Sequence, residues 1–158
     1  MILSTPAQRR ELLRQVKTVA IVGASNNPAR PSYFVLRYLK RHGYTVWPVN
    51  PAHELVDNEP CFPSLAALAR AHGTPDVADV FRRPDALAQV VEEVLAAKIK
   101  VIWFQYGVIN EAQIERADRA GLTVVVDRCM KVEHARFSRE LSSQGFNSGI
   151  ITVKREAL

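Results

Sequence analysis

Short apolar runs alternate with amphipathic segments along this chain. Five runs have the continuous apolar character that is typical of parallel strands buried on both faces. These predicted strands cover Val19–Val22, Thr45–Val49, Val77–Phe81, Lys100–Gln105 and Leu122–Val126. The segments around them carry apolar residues at helical spacing, often behind a capping Ser or Asn or ahead of a Gly. Predicted helices cover Pro6–Val16, Pro31–His42, Ser64–Ala71, Asp85–Ala97 and Glu111–Ala120.

This regular alternation with short connections predicts an α/β fold. We expect a Rossmann-like, doubly wound parallel sheet of five strands with helices on both faces. Numbering the strands as they occur, we expect the order 3-2-1-4-5, which places the switch point between the first and fourth strands. The segments Gly23–Asn26 and Gln105–Gly107 should then flank one ligand-binding crevice.

The length of 158 residues fits a single domain, with a core over about 17–137 and a C-terminal extension over about 138–158. Between Pro51 and Pro63 the sequence lacks periodicity, which predicts a surface loop beside the crevice. A last helix is predicted over Val132–Leu141. The segment GFNSGIITVKR that follows it has no clear pattern.

The turn after the first strand has the character of a phosphate-binding turn. Gly23 ends the strand, and the next residues are small, so a ligand can approach the backbone; they are Ala24, Ser25 and Asn26. A helix that follows such a turn presents N–H groups to a phosphate. The alternative is that a lone glycine here has a purely structural role, in a tight turn that binds no ligand.

The same region argues against a nicotinamide dinucleotide. The fingerprint G-x-G-x-x-G needs two further glycines, but Ser25 and Pro28 occupy those positions. Dinucleotide enzymes also place an acidic residue after the second strand, where this chain has Asn50 and Pro51. We therefore interpret the site as a nucleotide site that is not built for NAD.

Basic residues near the Gly23 turn favour a ligand-binding turn over a tight turn without a ligand. Arg30 precedes the second helix, and Arg82 and Arg83 follow the third strand, so all three are predicted to converge on one edge of the sheet. The net charge of +5 also favours anionic partners. Solvated surface positions are the alternative for Arg82 and Arg83.

Ordered motifs over Val19–Glu133 resemble the small CoA-binding domain proteins. They are VAIVGAS, GYTVWPVNP, DVADVFRRP, KVIWFQYGVINEAQIERADRAGLTVVVDRC and Glu133. That family is similar to the CoA-binding domain of the succinyl-CoA synthetase α subunit and of ADP-forming acyl-CoA synthetases. The resemblance implies a Rossmann-like fold that holds coenzyme A or an acyl-CoA, without the second domain and partner subunit that the synthetases need for catalysis.

The resemblance also implies roles for particular residues. Those implied at the diphosphate are Gly23, Ala24, Ser25 and Arg30, and those on the nucleotide side are Asn50 and Pro51. Those implied in the wall facing the first strand are Phe81 and Arg82, and those in the opposite wall are Trp103, Gln105 and Gly107.

Cys129 follows the fifth strand, so its thiol is predicted near the crevice. A mixed disulfide with CoA would require partial exposure and a lowered pKa, which Arg128 and Lys131 would favour. The alternative is a small buried hydrophobic residue. Neither cysteine belongs to a C-x-x-C pair and no histidines are paired at ligand spacing, so the sequence predicts no metal site.

The leading functional hypothesis is a CoA-binding protein without its own catalytic group, which acts as a carrier, sensor or subunit. It would work with a protein partner or form a homodimer. An NAD(P)-dependent oxidoreductase, or an acyl-CoA ligase or transferase component acting with a partner chain, is the second. A nucleic-acid binder is the third and weakest, and it rests on the pI of about 9.5 and on a basic first helix. The residues of that basic helix are Arg9, Arg10, Arg14 and Lys17.

The sequence has neither a membrane-length apolar stretch nor a signal-peptide pattern, which favours a cytoplasmic protein.

Overall fold

The computed structural model describes residues 1–143, and its centre is a sheet of five parallel strands. Two further short strands form a separate antiparallel hairpin. In chain order the strands are β1 (Thr18–Val22), β2 (Thr45–Val49), β3 (Leu55–Val56), β4 (Glu59–Pro60), β5 (Val77–Val80), β6 (Val101–Phe104) and β7 (Thr123–Val126). The main sheet has the order β2-β1-β5-β6-β7, and every neighbouring pair in it is parallel.

Helices cover both faces of this sheet. They are α1 (Pro6–Gln15), α2 (Pro31–Arg41), α3 (Leu65–His72), α4 (Leu87–Ala96), α5 (Glu111–Arg119) and α6 (Met130–Ser143), with a 3₁₀ turn over Pro84–Ala86. Apolar residues of α1, α2 and α6 form one core layer with the sheet, and those of α3, α4 and α5 form the other. The predicted fold class, a Rossmann-like doubly wound parallel sheet, is confirmed.

The predicted strand order is wrong. Counting only the five strands of the main sheet, the order is 2-1-3-4-5, because β5 lies beside β1 instead of beyond β2. Parallel crossovers are right-handed, so the face that a connecting helix covers decides the direction in which the next strand is added. The connections through α2 and α3 cover opposite faces, so β5 is added on the other side of β1. The switch point therefore lies between β1 and β5.

The predicted surface loop over Pro51–Pro63 contains the β3–β4 hairpin. Asp57 and Asn58 at its turn have φ values of 51° and 61°, as a two-residue type I′ turn requires. Val56 is fully buried, so the hairpin packs onto the main body. The Asn26 side chain holds it there, since Nδ2 donates to the Leu55 carbonyl at 2.6 Å and Oδ1 accepts from the Asp57 N–H at 3.1 Å.

One of the four basic residues on which the nucleic-acid hypothesis rests, Arg9, is buried. Arg9 is only 3% exposed, and its Nε donates to Glu133 Oε1 on α6. The second oxygen of Glu133 lies 3.1 Å from Arg136 Nη1. Arg9 therefore joins α1 to α6 inside the protein and is unavailable to a polyanion.

The last helix is longer than predicted, since it covers Met130–Ser143 and not Val132–Leu141. The segment GFNSGIITVKR lies outside the described residues. Within residues 1–143, every helix is too short or too polar to cross a membrane.

Candidate ligand-binding site

A pocket of about 640 Å³ opens at the carboxyl edge of the sheet, where β1 and β5 end. Sites for small ligands and cofactors commonly have about 300–1,000 Å³. Residues from the turn after β1, the first turn of α2, the loops after β2, β5 and β6, and the start of α6 line it. They are Gly23, Ser25, Arg30, Pro31, Ser32, Phe34, Asn50, His53, Phe81, Arg82, Arg83, Gln105, Tyr106, Val108, Cys129, Lys131 and Val132. We call this cavity the switch-point pocket.

The ends of three strands approach one another closely at the floor of the pocket. Gly23 has φ +88°, and a Cβ at this position would lie 2.7 Å from the Phe81 carbonyl oxygen and 2.9 Å from Arg82 Cδ. The Gly23 N–H donates to the Val49 carbonyl at 2.9 Å. Gly23 therefore lets the ends of β1, β2 and β5 approach one another, which is the physical reason for a glycine here.

Cationic side chains dominate the polar part of the lining. Arg30 is the N-cap residue of α2, and Arg82 and Arg83 follow β5, so the three predicted arginines do meet at one pocket. Lys131, from the first turn of α6, joins them. No Asp or Glu lines the switch-point pocket among the described residues, so its field attracts anions.

An apolar part accompanies these cations. Phe34 and Val132 come from α2 and α6, and Tyr106 and Val108 come from the loop after β6. Phe34, Tyr106 and Val132 are exposed, which is unusual for large apolar side chains that lie together. Lys131 Nζ lies 5.3 Å from the centroid of the Phe34 ring, so charge and apolar surface meet at this rim.

A buried amide and carboxyl form the inner wall. Gln105 is 4% exposed, and its Nε2 donates to Asp79 Oδ1 on β5 at 2.6 Å. Burial raises the pKa of Asp79 to about 8, and the hydrogen bond from Gln105 opposes part of that rise. The Asp79 carboxyl is therefore largely protonated at neutral pH.

Cys129 lines the pocket but does not meet the conditions for a reactive thiol. Its side chain is 7% exposed, and burial raises its pKa more than the nearby backbone hydrogen bonds and Lys131 lower it. The mixed-disulfide hypothesis required a lowered pKa, so the raised pKa of Cys129 favours the alternative, a small buried hydrophobic residue. A thiol with a raised pKa contributes little thiolate at neutral pH.

Eight of the residues predicted for the site lie at the switch-point pocket. They are Gly23, Ser25, Arg30, Asn50, Phe81, Arg82, Gln105 and Cys129. Their side chains or backbones follow strand ends that the sequence pattern located, and parallel strands bring those ends to the same edge.

The other five predicted site residues lie elsewhere. Ala24 is fully buried, and its carbonyl accepts from Asn50 Nδ2 at 2.8 Å, so it supports the turn from beneath. Pro51 borders a smaller neighbouring cavity, and Asn26 holds the hairpin. The Gly107 N–H donates to Asp127 Oδ1 at 2.9 Å.

Trp103 is the clearest correction, since the resemblance implied that it closes a wall of the pocket. It is fully buried, and its indole Nε1 donates to the Arg128 carbonyl at 2.7 Å. Trp103 lies inside β6, whose side chains point to the faces of the sheet. Only residues beyond the end of the strand reach the carboxyl edge.

Sequence reasoning missed Phe34 and His53 among the lining residues. It expected Lys131 only beside the Cys129 thiol, and Tyr106 only as part of the segment Gln105–Gly107 that flanks the crevice. Phe34 and Lys131 lie in the first turns of their helices, where the helical pattern alone does not distinguish a pocket rim from ordinary surface. The exposed aromatic pair Phe34 and Tyr106 was the available signal, but it needs the three-dimensional structure to be recognised as one patch.

Fold and site together define a doubly wound parallel α/β domain with a cation-lined, partly apolar pocket at its switch point. Residues 17–135 match the family described as CoA binding domain, and the chain belongs to that family. The protein YneT of Bacillus subtilis is 36% identical over 129 residues, which cover 82% of this chain and 93% of that protein.

Solved structures and a larger enzyme are also similar to this chain. A hypothetical protein from Pyrococcus horikoshii has a TM-score of 0.78 at 40% identity, over 84% of this chain and 92% of that chain. An acetate–CoA ligase [ADP-forming] of Archaeoglobus fulgidus is 24% identical over 85% of this chain. The match covers 22% of that enzyme, so this chain corresponds to a part of it.

Proposed function

We propose that the switch-point pocket holds coenzyme A or an acyl-CoA, and that the chain is a CoA-binding protein without a catalytic group of its own. The observation that carries the proposal is the lining itself, in which four Arg and Lys side chains and several apolar side chains share one cavity without any described carboxylate. Coenzyme A combines phosphates with a long, partly apolar arm, so it needs both kinds of surface in one site.

Arg30, Arg82 and Arg83 supply the donors for the phosphates. Guanidinium groups bind phosphate oxygens through paired N–H donors, which makes arginine better suited to this task than a point charge. Arg82 has a special position, because its Cδ lies against Gly23, where β1 ends. The arm then runs along Phe34, Tyr106 and Val132 towards Gln105.

The absence of catalysis rests on the chemistry of the lining. General-base and nucleophilic catalysis need a poised base, a carboxylate or a thiolate near the reacting atoms. The described lining contains no carboxylate, and burial raises the pKa of the Cys129 thiol. The lining has one imidazole, that of His53, and no described carboxylate orients it as a general base. The pocket is therefore suited to hold a ligand whose chemistry takes place elsewhere.

Calorimetry with coenzyme A, dephospho-CoA and NAD tests the proposal. We expect coenzyme A to bind, dephospho-CoA to bind more weakly because it lacks the 3′-phosphate, and NAD to bind weakly or not at all. The variant Arg82→Gln should weaken coenzyme A binding by about tenfold or more, as a hydrogen bond to a charged group contributes about 1.5–3 kcal/mol.

Arg119→Gln is the matched control for Arg82→Gln. It removes the same charge, but Arg119 ends α5 at the opposite edge of the sheet and pairs with Glu115. Equal losses of coenzyme A affinity in both variants would show that Arg82 acts only through the net charge of the protein. Failure of coenzyme A to bind, together with measurable NAD binding, would overturn the proposal in favour of the oxidoreductase class.

The similarity to the acetate–CoA ligase favours one second candidate. In it, this chain is the CoA-holding component of an acyl-CoA ligase or transferase and acts with a partner chain. The calorimetric result is the same for both candidates, so the discriminating measurement is thioester formation from acetate, ATP and coenzyme A when cell fractions are added to the purified protein. Thioester that depends on this chain and is lost in Arg82→Gln would favour the second candidate.

A further inference from the structure

Asp79 is a carboxyl group at the centre of the fold that ordinary stability does not explain. It lies in β5 between Ile21 of β1 and Trp103 of β6, and it is 0% exposed. Its Oδ2 has no hydrogen-bond partner among the described residues. Burying a polar group without a partner is costly, and an apolar residue would pack there without that cost. A group of this kind inside a sheet therefore calls for a functional reason.

The other oxygen of Asp79 leads to the pocket. Oδ1 accepts the 2.6 Å hydrogen bond from Gln105 Nε2, and Gln105 is part of the pocket lining. A neutral carboxyl keeps a carbonyl oxygen that accepts this bond, so the contact persists when Asp79 is protonated. With Nε2 engaged by Asp79, the Gln105 carbonyl oxygen is left as the acceptor of that side chain.

We propose that Asp79 is a positioning residue, which holds the Gln105 amide so that its carbonyl oxygen accepts a hydrogen bond from an amide N–H of the pantetheine arm. The inference rests on the proposed function, since the arm is present only if the pocket binds coenzyme A. A glutamine side chain that is free to rotate presents either its donor or its acceptor to the ligand. In the orientation that the structure has, with Nε2 donating to Asp79 Oδ1, the side chain presents its carbonyl oxygen, which suits the inner wall to an N–H donor of the arm.

The ligand pair that isolates the arm is coenzyme A and adenosine 3′,5′-bisphosphate. The bisphosphate carries the adenosine and the 3′-phosphate but lacks the arm, so it reports the phosphate end of the pocket alone. Calorimetry with both ligands is performed on the wild type, Gln105→Leu, Asp79→Val, the double variant and Asp79→Asn. Circular dichroism confirms that each variant is folded before it is titrated.

We expect Gln105→Leu and Asp79→Val each to weaken coenzyme A binding by about three- to tenfold and to leave bisphosphate binding unchanged. The double variant should lose no more than either single variant, because Asp79 acts only through Gln105. Asp79→Asn should restore most of the affinity, since its side-chain carbonyl still accepts from Gln105 Nε2.

Additive losses in the double variant, or equal losses for both ligands in Asp79→Val, would show that Asp79 acts only on the fold and would overturn the inference. Unchanged coenzyme A affinity in Asp79→Val would overturn it as well. These results leave the proposed function standing, because the wild type still binds coenzyme A. Failure of the wild type to bind coenzyme A would instead overturn the proposed function, and the inference with it.

Discussion

Replacement of Gly23 by alanine tests how closely the strand ends approach at the pocket floor. The φ of +88° alone costs an L residue about 1–2 kcal/mol. The added Cβ also meets the Phe81 carbonyl oxygen at 2.7 Å and Arg82 Cδ at 2.9 Å, so strand ends must move. Overpacking of this kind costs about 1–3 kcal/mol. We therefore expect Gly23→Ala to lower the free energy of unfolding by about 2–5 kcal/mol.

Gly121→Ala is the matched control, because the two glycines share a backbone conformation but differ in their surroundings. Gly121 has φ +89°, and a Cβ there would meet no atom within 4 Å. It lies between α5 and β7, at the edge of the sheet away from the pocket. Its replacement should cost only the conformational part, about 1–2 kcal/mol.

Urea denaturation followed by circular dichroism measures the difference. With a slope of about 2 kcal/mol per molar urea, Gly23→Ala should unfold at a midpoint about 1 M below that of Gly121→Ala. It should also weaken coenzyme A binding, since the displaced backbone carries Arg82, whereas Gly121→Ala should not. Equal midpoints for the two variants would refute the close approach at Gly23 as the reason for its glycine.

Three further predictions concern buried ionisable groups. Burial raises the pKa of Asp79 from 3.8 to about 8, so between these pH values the folded state holds a proton that the unfolded state has lost. The wild type therefore loses stability as the pH rises, and Asp79→Asn does not. In urea titrations, the stabilisation of Asp79→Asn relative to the wild type should grow by about 1 kcal/mol per pH unit between pH 5 and 7. Burial lowers the pKa of His134 from 6.5, so below that pH the unfolded state binds a proton more readily than the folded state. The wild type should therefore lose stability as the pH falls below about 6.5. His134→Gln has no imidazole to protonate, so it should lose less stability over the same pH range. Arg9→Met leaves Glu133 inside the protein with Arg136 as its remaining described ionic partner, and it should cost about 3 kcal/mol of unfolding free energy. Arg9→Met combined with Glu133→Leu should largely restore that stability, and equal stability of the single and double variants would contradict this account.

Local signals in the sequence located the elements well. The capping Ser and Asn expected from the sequence are Ser64 of α3 and Asn110 of α5, whose side chains accept from the Ala67 and Gln113 N–H groups. Pro31 begins α2, and the apolar runs become the strands of the main sheet. These features depend on residues within a few positions of one another, so a single sequence is enough to predict them.

Part of the site was also predictable, since the residues that follow parallel strands gather at one edge. Arg82 and Gln105 were placed at the pocket for this reason. Trp103 was misplaced because a prediction from motif position did not separate the end of β6 from its interior, where side chains point into the core. The aromatic rim at Phe34 was missed because its neighbours come from distant parts of the chain.

The sequence by itself determined the alternation of strands and helices, the glycine turn after β1 and the positions of the three pocket arginines at element ends. The tertiary structure decided the strand order, the burial of Arg9 and the carboxyl of Asp79 beneath the pocket. The strands of a doubly wound sheet are largely apolar on both faces, so their sequences do not record which strands are neighbours. Those neighbours depend on which face each connecting helix covers, and that choice is made only when the whole core is packed.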